Sequence, residues 1–133
     1  MVTMFGNGYF GLLSDAWQLQ GNTWSQLQGP LPPKRDGGAM VYDSSRARLV
    51  LFGGLTGLQL QDTWEWDGTS WTQINPVVMP PARADHAMAY DPIREVTVMF
   101  GGRVAGSSNS VQDTWEWNGI TWQQRAFQPA LAR

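Results

Sequence analysis

The chain has no cysteine, so it can form neither a disulfide framework nor a thiolate metal site. It has no transmembrane run. Its start, MVTMFGNGYFG, lacks the basic and long apolar regions of a signal peptide. Nothing in the sequence assigns a compartment. Neither charge sign dominates: nine Lys and Arg against eleven Asp and Glu, scattered, give a net charge of −2. No electrostatic case exists for nucleic acid or for an anionic membrane. No stretch carries a sustained helical stripe. There is one histidine, which leaves few ways to build a Ser-His-Asp arrangement. The Gly-containing runs GLTGLQ and GGRVAG fall between expected strands, so they do not read as phosphate loops opening a helix.

What is abundant is tryptophan, eight residues, and glycine, fifteen, in 133 residues, the length of one ordinary domain. Trp needs large packed surfaces and Gly marks tight turns, so many short strands are expected. The chain also repeats itself. DTWEWDG (Asp62–Gly68) returns 51 residues later as DTWEWNG (Asp113–Gly119), and DAWQLQG (Asp15–Gly21) precedes it by 47. The run Val50-Leu51-Phe52-Gly53-Gly54 matches Val98-Met99-Phe100-Gly101-Gly102, and more loosely Thr3-Met4-Phe5-Gly6-Asn7. Pro32–Asp43 matches Pro80–Asp91. Each DxW segment leads to a second Trp seven residues on: Trp17 and Trp24, Trp64 and Trp71, Trp115 and Trp122. Three blocks in one order and spacing define an internal repeat.

Each repeat reads as four strands. Ala39–Asp43 and Ala87–Asp91 are short, apolar and end at a turn-opening Asp. RLVLFGG and EVTVMFGG are β-branched and aromatic, as buried strands are. TWEW alternates with period two. Asp67-Gly68 and Asn118-Gly119 predict two-residue type I′ hairpins. A fourth strand carries Trp71 or Trp122.

A four-stranded antiparallel repeat of this length, with Gly and aromatic marks, is a propeller blade. The Gly-Gly doublet, the DTWEW segment and the second Trp resemble Kelch repeats of the Trp-rich bacterial type, over essentially the whole chain. The first repeat departs at Gly6-Asn7 and at Leu19, which replaces a Trp. The resemblance implies an all-β propeller. Residues 1–29 would hold strands two to four of one blade. Residues 30–79 and 80–128 would each be a full blade, with 129–133 starting the next link. That is about 2.75 blades. Kelch modules mostly bind partners, and their first strand lines the central channel.

An open arc exposes the apolar faces of its end blades, and no polar cap is evident in the sequence. The expectation is a homodimer of C2 symmetry closing a six-bladed ring. An excised or engineered fragment of a longer propeller is the alternative. Tyr42 and Tyr90 sit in a fold that hosts copper-radical oxidases, but that chemistry needs a cysteine cross-linked to tyrosine.

Candidate site residues lie where links meet first strands, on the face shared with the loops 7–14, 55–61 and 103–112. His86, with Asp85 and Asp36, offers a ligand set for a divalent metal such as zinc. Arg83 and Arg35 would stabilise an anion, and Asp85 would serve as base. The reaction would be metal-dependent hydrolysis of a small ester, lactone or phosphoester. The bland alternatives are a His86 that hydrogen-bonds a neighbouring loop, and arginines that tie adjacent blades. Asp15, Asp62 and Asp113 read as turn or cap residues. Glu65 and Glu116 read as blade-to-blade hydrogen-bonding groups or solvated ones. The repeating tryptophans read as wedges between blades.

Overall fold

The computed structural model describes residues 2–8 and 11–126, with side chains from Ala16 onward. The link 129–133 and the side chain of Asp15 lie outside the described residues. Among the described residues every regular element is a strand. Among them there is no helix, hence none long and apolar enough to cross a membrane.

The first sheet is a meander of β1 (Val2–Gly8), β2 (Gly11–Gln20) and β3 (Thr23–Gln26). The second is a four-stranded antiparallel meander of β4 (Ala39–Asp43), β5 (Arg48–Thr56), β6 (Leu58–Trp66) and β7 (Trp71–Ile74). After the short β8 (Arg83–Ala84) comes the third sheet: β9 (Ala87–Asp91), β10 (Val96–Phe100), β12 (Thr114–Trp117) and β13 (Trp122–Arg125). The remaining strand, β11 (Arg103–Val104), pairs with β8. The eleven expected strands all form, in three antiparallel sheets. The additional pair joins the link before the third sheet to the loop after β10.

Two local expectations change. The run 55–61, expected as a loop, is a paired hairpin: Gly54 faces Leu60, Leu55 faces Gln59 and Thr56 faces Leu58. Asn7 likewise faces Leu12 and Gly8 faces Gly11. The longer run RVAGSSNSVQ closes on itself through an isolated bridge, Arg103 with Ser110, while Arg103 and Val104 pair with β8. The second change concerns the β6–β7 turn, which is not the two-residue type I′ form. Trp66 pairs with Trp71, leaving four residues in the turn. Gly68 is left-handed, with φ +98°, but Asp67 is not. Instead the Asp67 carboxylate accepts the N–H groups of Thr69 and Ser70 at 2.8 and 2.9 Å. Asn118 does the same for Ile120 and Thr121. A side-chain acceptor thus replaces the second left-handed residue.

Asp43 and Asp91 open turns as expected, each accepting two backbone N–H groups. The glycine at Gly53 answers a close approach as well as a bulge. Its φ is +67°, at the register shift between Phe52 and Gly54. A Cβ there would lie 2.6 Å from the Arg83 carbonyl oxygen of the next sheet's link. No side chain fits that gap.

Strand alternation sends β5 side chains to both faces. Val50 and Phe52 pack with Met99, Trp115, Trp117 and Trp122 of the third sheet. Leu51, Trp64, Trp66 and Trp71 pack on the other face, against Leu27 and Leu31. A buried Trp removes enough area from water to contribute about 4–6 kcal/mol before entropy costs. The sheets are therefore held as a stack by aromatic layers, each supplied mostly by one neighbour.

Candidate functional site

Arg35 and Arg83 are the most demanding groups, since both are fully buried. Arg35 donates to Asp62 through Nη1 and Nη2 at 2.6 and 2.7 Å. It also donates to the carbonyls of Gly53 and Pro33. Arg83 repeats the set on Asp113, Gly101 and Pro81. One expectation is corrected here: Asp62 and Asp113 accept from buried arginines rather than opening a turn or capping. Each pair locks the incoming link to the third strand of its own sheet, because only a bidentate carboxylate satisfies a buried guanidinium.

Trp64 and Trp115 add indole N–H bonds to the same carboxylates. At Asp62, burial works against the charge. Arg35 and Trp64 outweigh it and hold the pKa below the ordinary value. At Asp113 the bond from Arg83 is the dominant cause of the same downward shift, opposed by burial. With their donors aimed at these partners, the guanidinium groups are structural rather than an anion clamp.

His86 is buried, and its Nε2 lies 2.8 Å from the carbonyl oxygen of Phe52, in the second sheet. The proton therefore sits on Nε2, and the ring meets Phe52 edge-on at 5.7 Å. Nδ1 is buried and has no donor among the described residues. Burial, aided by the Arg83 charge, pushes the His86 pKa below the histidine norm of 6.5; the Phe52 bond and Asp85 oppose this.

Asp85 has left-handed backbone, φ +60°, and its exposed carboxylate accepts from Nε and Nη2 of Arg103. Asp36 is exposed and accepts the N–H of Gly37. His86, Asp85 and Asp36 do not converge as a ligand set. Among the described residues no three His, Asp or Glu side chains are placed to hold a metal ion. His86 instead bonds a neighbouring strand, where the plainer expectation was a neighbouring loop.

The functionally distinctive geometry lies between the second and third sheets. Trp122 Nε1 donates to the Thr63 hydroxyl at 3.0 Å, and Trp117 Nε1 donates to Glu65 at 2.9 Å. Arg46 grips the same Glu65 with both Nη atoms at 3.0 and 2.6 Å. Gly119, at the β12–β13 turn, sits against that arginine; a Cβ would fall 2.8 Å from its Nε. Glu65 thus bonds across sheets, one of its two expected roles. Thr63 and Arg46 were not singled out from the sequence. Their signal is recurrence: Thr114 and Arg94 stand at the matching positions.

The outward faces of the first and third sheets carry residues at the positions that match this junction. On the third sheet Phe100 is 49% exposed, whereas its counterpart Phe52 is 0%. Beside it an open groove of about 470 Å³ is lined by Gln112, Asp113, Thr114, Gln124, Arg125 and Ala126. On the first sheet Trp24 is 43% exposed, whereas Trp71 and Trp122 are buried. No protein-family model matches this chain, and no curated protein matches it.

Proposed function

We propose that this chain is a Kelch-like β-propeller module whose ring is completed by a second copy and which serves as a binding scaffold. The observation that carries the reading is the pair of unmatched end faces. One presents a threonine in an open groove and an exposed phenylalanine; the other presents an exposed tryptophan. Inside the chain those same features meet and bury one another. Three sheets per chain make six blades per pair, within the usual range of about four to eight. Apolar faces of this kind drive association.

The loop side suits binding better than catalysis. Its arginines are committed to carboxylates, and its histidine to a carbonyl. What that side offers is apolar: Leu58 at a hairpin tip and Val77, Val78 and Met79 in the link are all exposed. Exposed apolar side chains on rigidly held loops are ordinary material for a protein contact.

Light scattering on a sizing column tests the assembly. The expected mass is twice the 14.8 kDa of one chain. A single-chain mass at all concentrations overturns it. Zinc in that peak, lost in His86→Ala together with a turnover of small esters, would overturn the scaffold reading in favour of hydrolysis.

A further inference from the structure

Resting on that two-copy reading, we propose that the ring closes head to tail, with Trp24 of each copy seated in the groove over Thr114 of the other. The interior junction supplies the template. There Trp122 donates to Thr63, and the glycine of the β12–β13 turn lies on Arg46. At the end faces the matching residues are Trp24 and Thr114, and Gly21 and Arg94. Gly21 has left-handed backbone, φ +61°, and open space where its Cβ would be, as a turn awaiting a neighbour requires. Arg94 is about half exposed, whereas Arg46 is only a third exposed beneath Gly119.

One pair does not match, and its mismatch points to a second copy. Trp117 donates to Glu65, but its counterpart on the first sheet is Leu19, whose side chain has no hydrogen to give. Across the contact, the counterpart of Glu65 is Glu116. It needs no indole, because Arg125 donates to it at 2.8 Å while Arg94 holds its other oxygen at 2.6 Å. Arg125 stands where the second sheet has Ile74, a residue packed into the interior junction. So the donor lost at Leu19 on one face is replaced by Arg125 on the other. A leucine over a carboxylate already paired twice is a contact without an unmet polar group. The two exchanges sit on opposite end faces and compensate each other only if those faces meet.

The experiment uses two full-length variants, Trp24→Arg and Thr114→Arg, measured by light scattering alone and mixed. A C2 ring has two identical junctions, and each variant alone spoils both. Both variants are expected at single-chain mass. Their equimolar mixture is expected to return to two chains, since one junction then joins two native faces. Wild-type chains that pair while Thr114→Arg pairs equally well would overturn the head-to-tail arrangement and leave self-assembly standing. Wild-type chains that never pair overturn both. A mixture that stays single-chain at about 100 µM, near the weak end of specific association, overturns the proposal.

The milder Trp24→Phe and Thr114→Val guard against misfolding. Each should weaken pairing about 30-fold, one hydrogen bond at each of two junctions. The double variant should be no worse than either single one. Additive losses would overturn the Trp24–Thr114 contact.

Discussion

The two faces of the second sheet use the same tryptophan positions with different polar closure. Toward the third sheet, the indole of Trp122 finds the Thr63 hydroxyl and that of Trp117 finds Glu65. On the opposite face Trp71, the counterpart of Trp122, is just as buried, yet its Nε1 has no acceptor among the described residues. The reason is one side chain. Where the second sheet has Thr63, the first has Ala16, fully buried. Packing is therefore shared by both contacts, while an acceptor for this indole is found in only one of them among the described residues. A buried N–H without a partner costs about 1–3 kcal/mol, so the contact closed by Thr63 should be the stronger.

The largest expected effect breaks the stronger contact. Glu65→Ala leaves the Arg46 guanidinium and the Trp117 N–H without their shared acceptor, and should cost about 3 kcal/mol in a urea melt. Gln18→Ala, at the matching place on the first sheet, should cost under about 1 kcal/mol. Equal losses would show that the polar closure does not matter.

Next comes one substitution made on both sides. Trp122→Phe should destabilise by about 1–2 kcal/mol beyond its packing loss, because Thr63 loses its donor. Trp71→Phe removes an N–H that bonds nothing, so it should cost the packing loss alone. The difference between the two midpoints reads the hydrogen bond directly. A smaller change sharpens the contrast by repairing it. Ala16→Ser offers Trp71 an acceptor and should stabilise by about 0.5–1 kcal/mol if the small hydroxyl is accommodated. A loss of more than about 1 kcal/mol would mean that Trp71 does not lie over that position.

The smallest effect at neutral pH, revealed only by acid, concerns His86. Its folded pKa lies below 6.5, so the unfolded chain binds its proton first. Its contribution is complete above pH 6.5 and is lost as pH falls below that value toward the folded pKa. The shifted carboxylates Asp62, Asp113, Asp43 and Glu116 are held below their ordinary values, so their contributions fall away at more acid pH than that of His86. Thermal melts between pH 7.5 and 5 should flatten in His86→Gln. An unchanged slope would assign the acid sensitivity elsewhere.

Much of this was legible in the residues, and the illegible parts share a cause. The strands could be read from Val50 to Phe52 or from Thr114 to Trp117, because period-two alternation and bounding glycines are local signals. Asp43 and Asp91 declared their turns, since an Asx turn reaches only two or three residues. The roles of Asp62 and Asp113 did not show, because their arginines lie 27 and 30 residues away. His86 looked like a metal ligand because a lone histidine beside aspartates has the right chemistry. Only the placement of Phe52 showed which atom that chemistry meets.

The sequence by itself determined the strands of the three sheets, their order, the turns opened by Asp43 and Asp91 and the layers of tryptophan. These follow from alternation and from backbone angles that each residue allows within a few positions of itself. The tertiary structure alone decided which buried charges pair and which indoles find acceptors. Those outcomes depend on groups tens of residues apart arriving within about 3 Å, a distance that local preference cannot set.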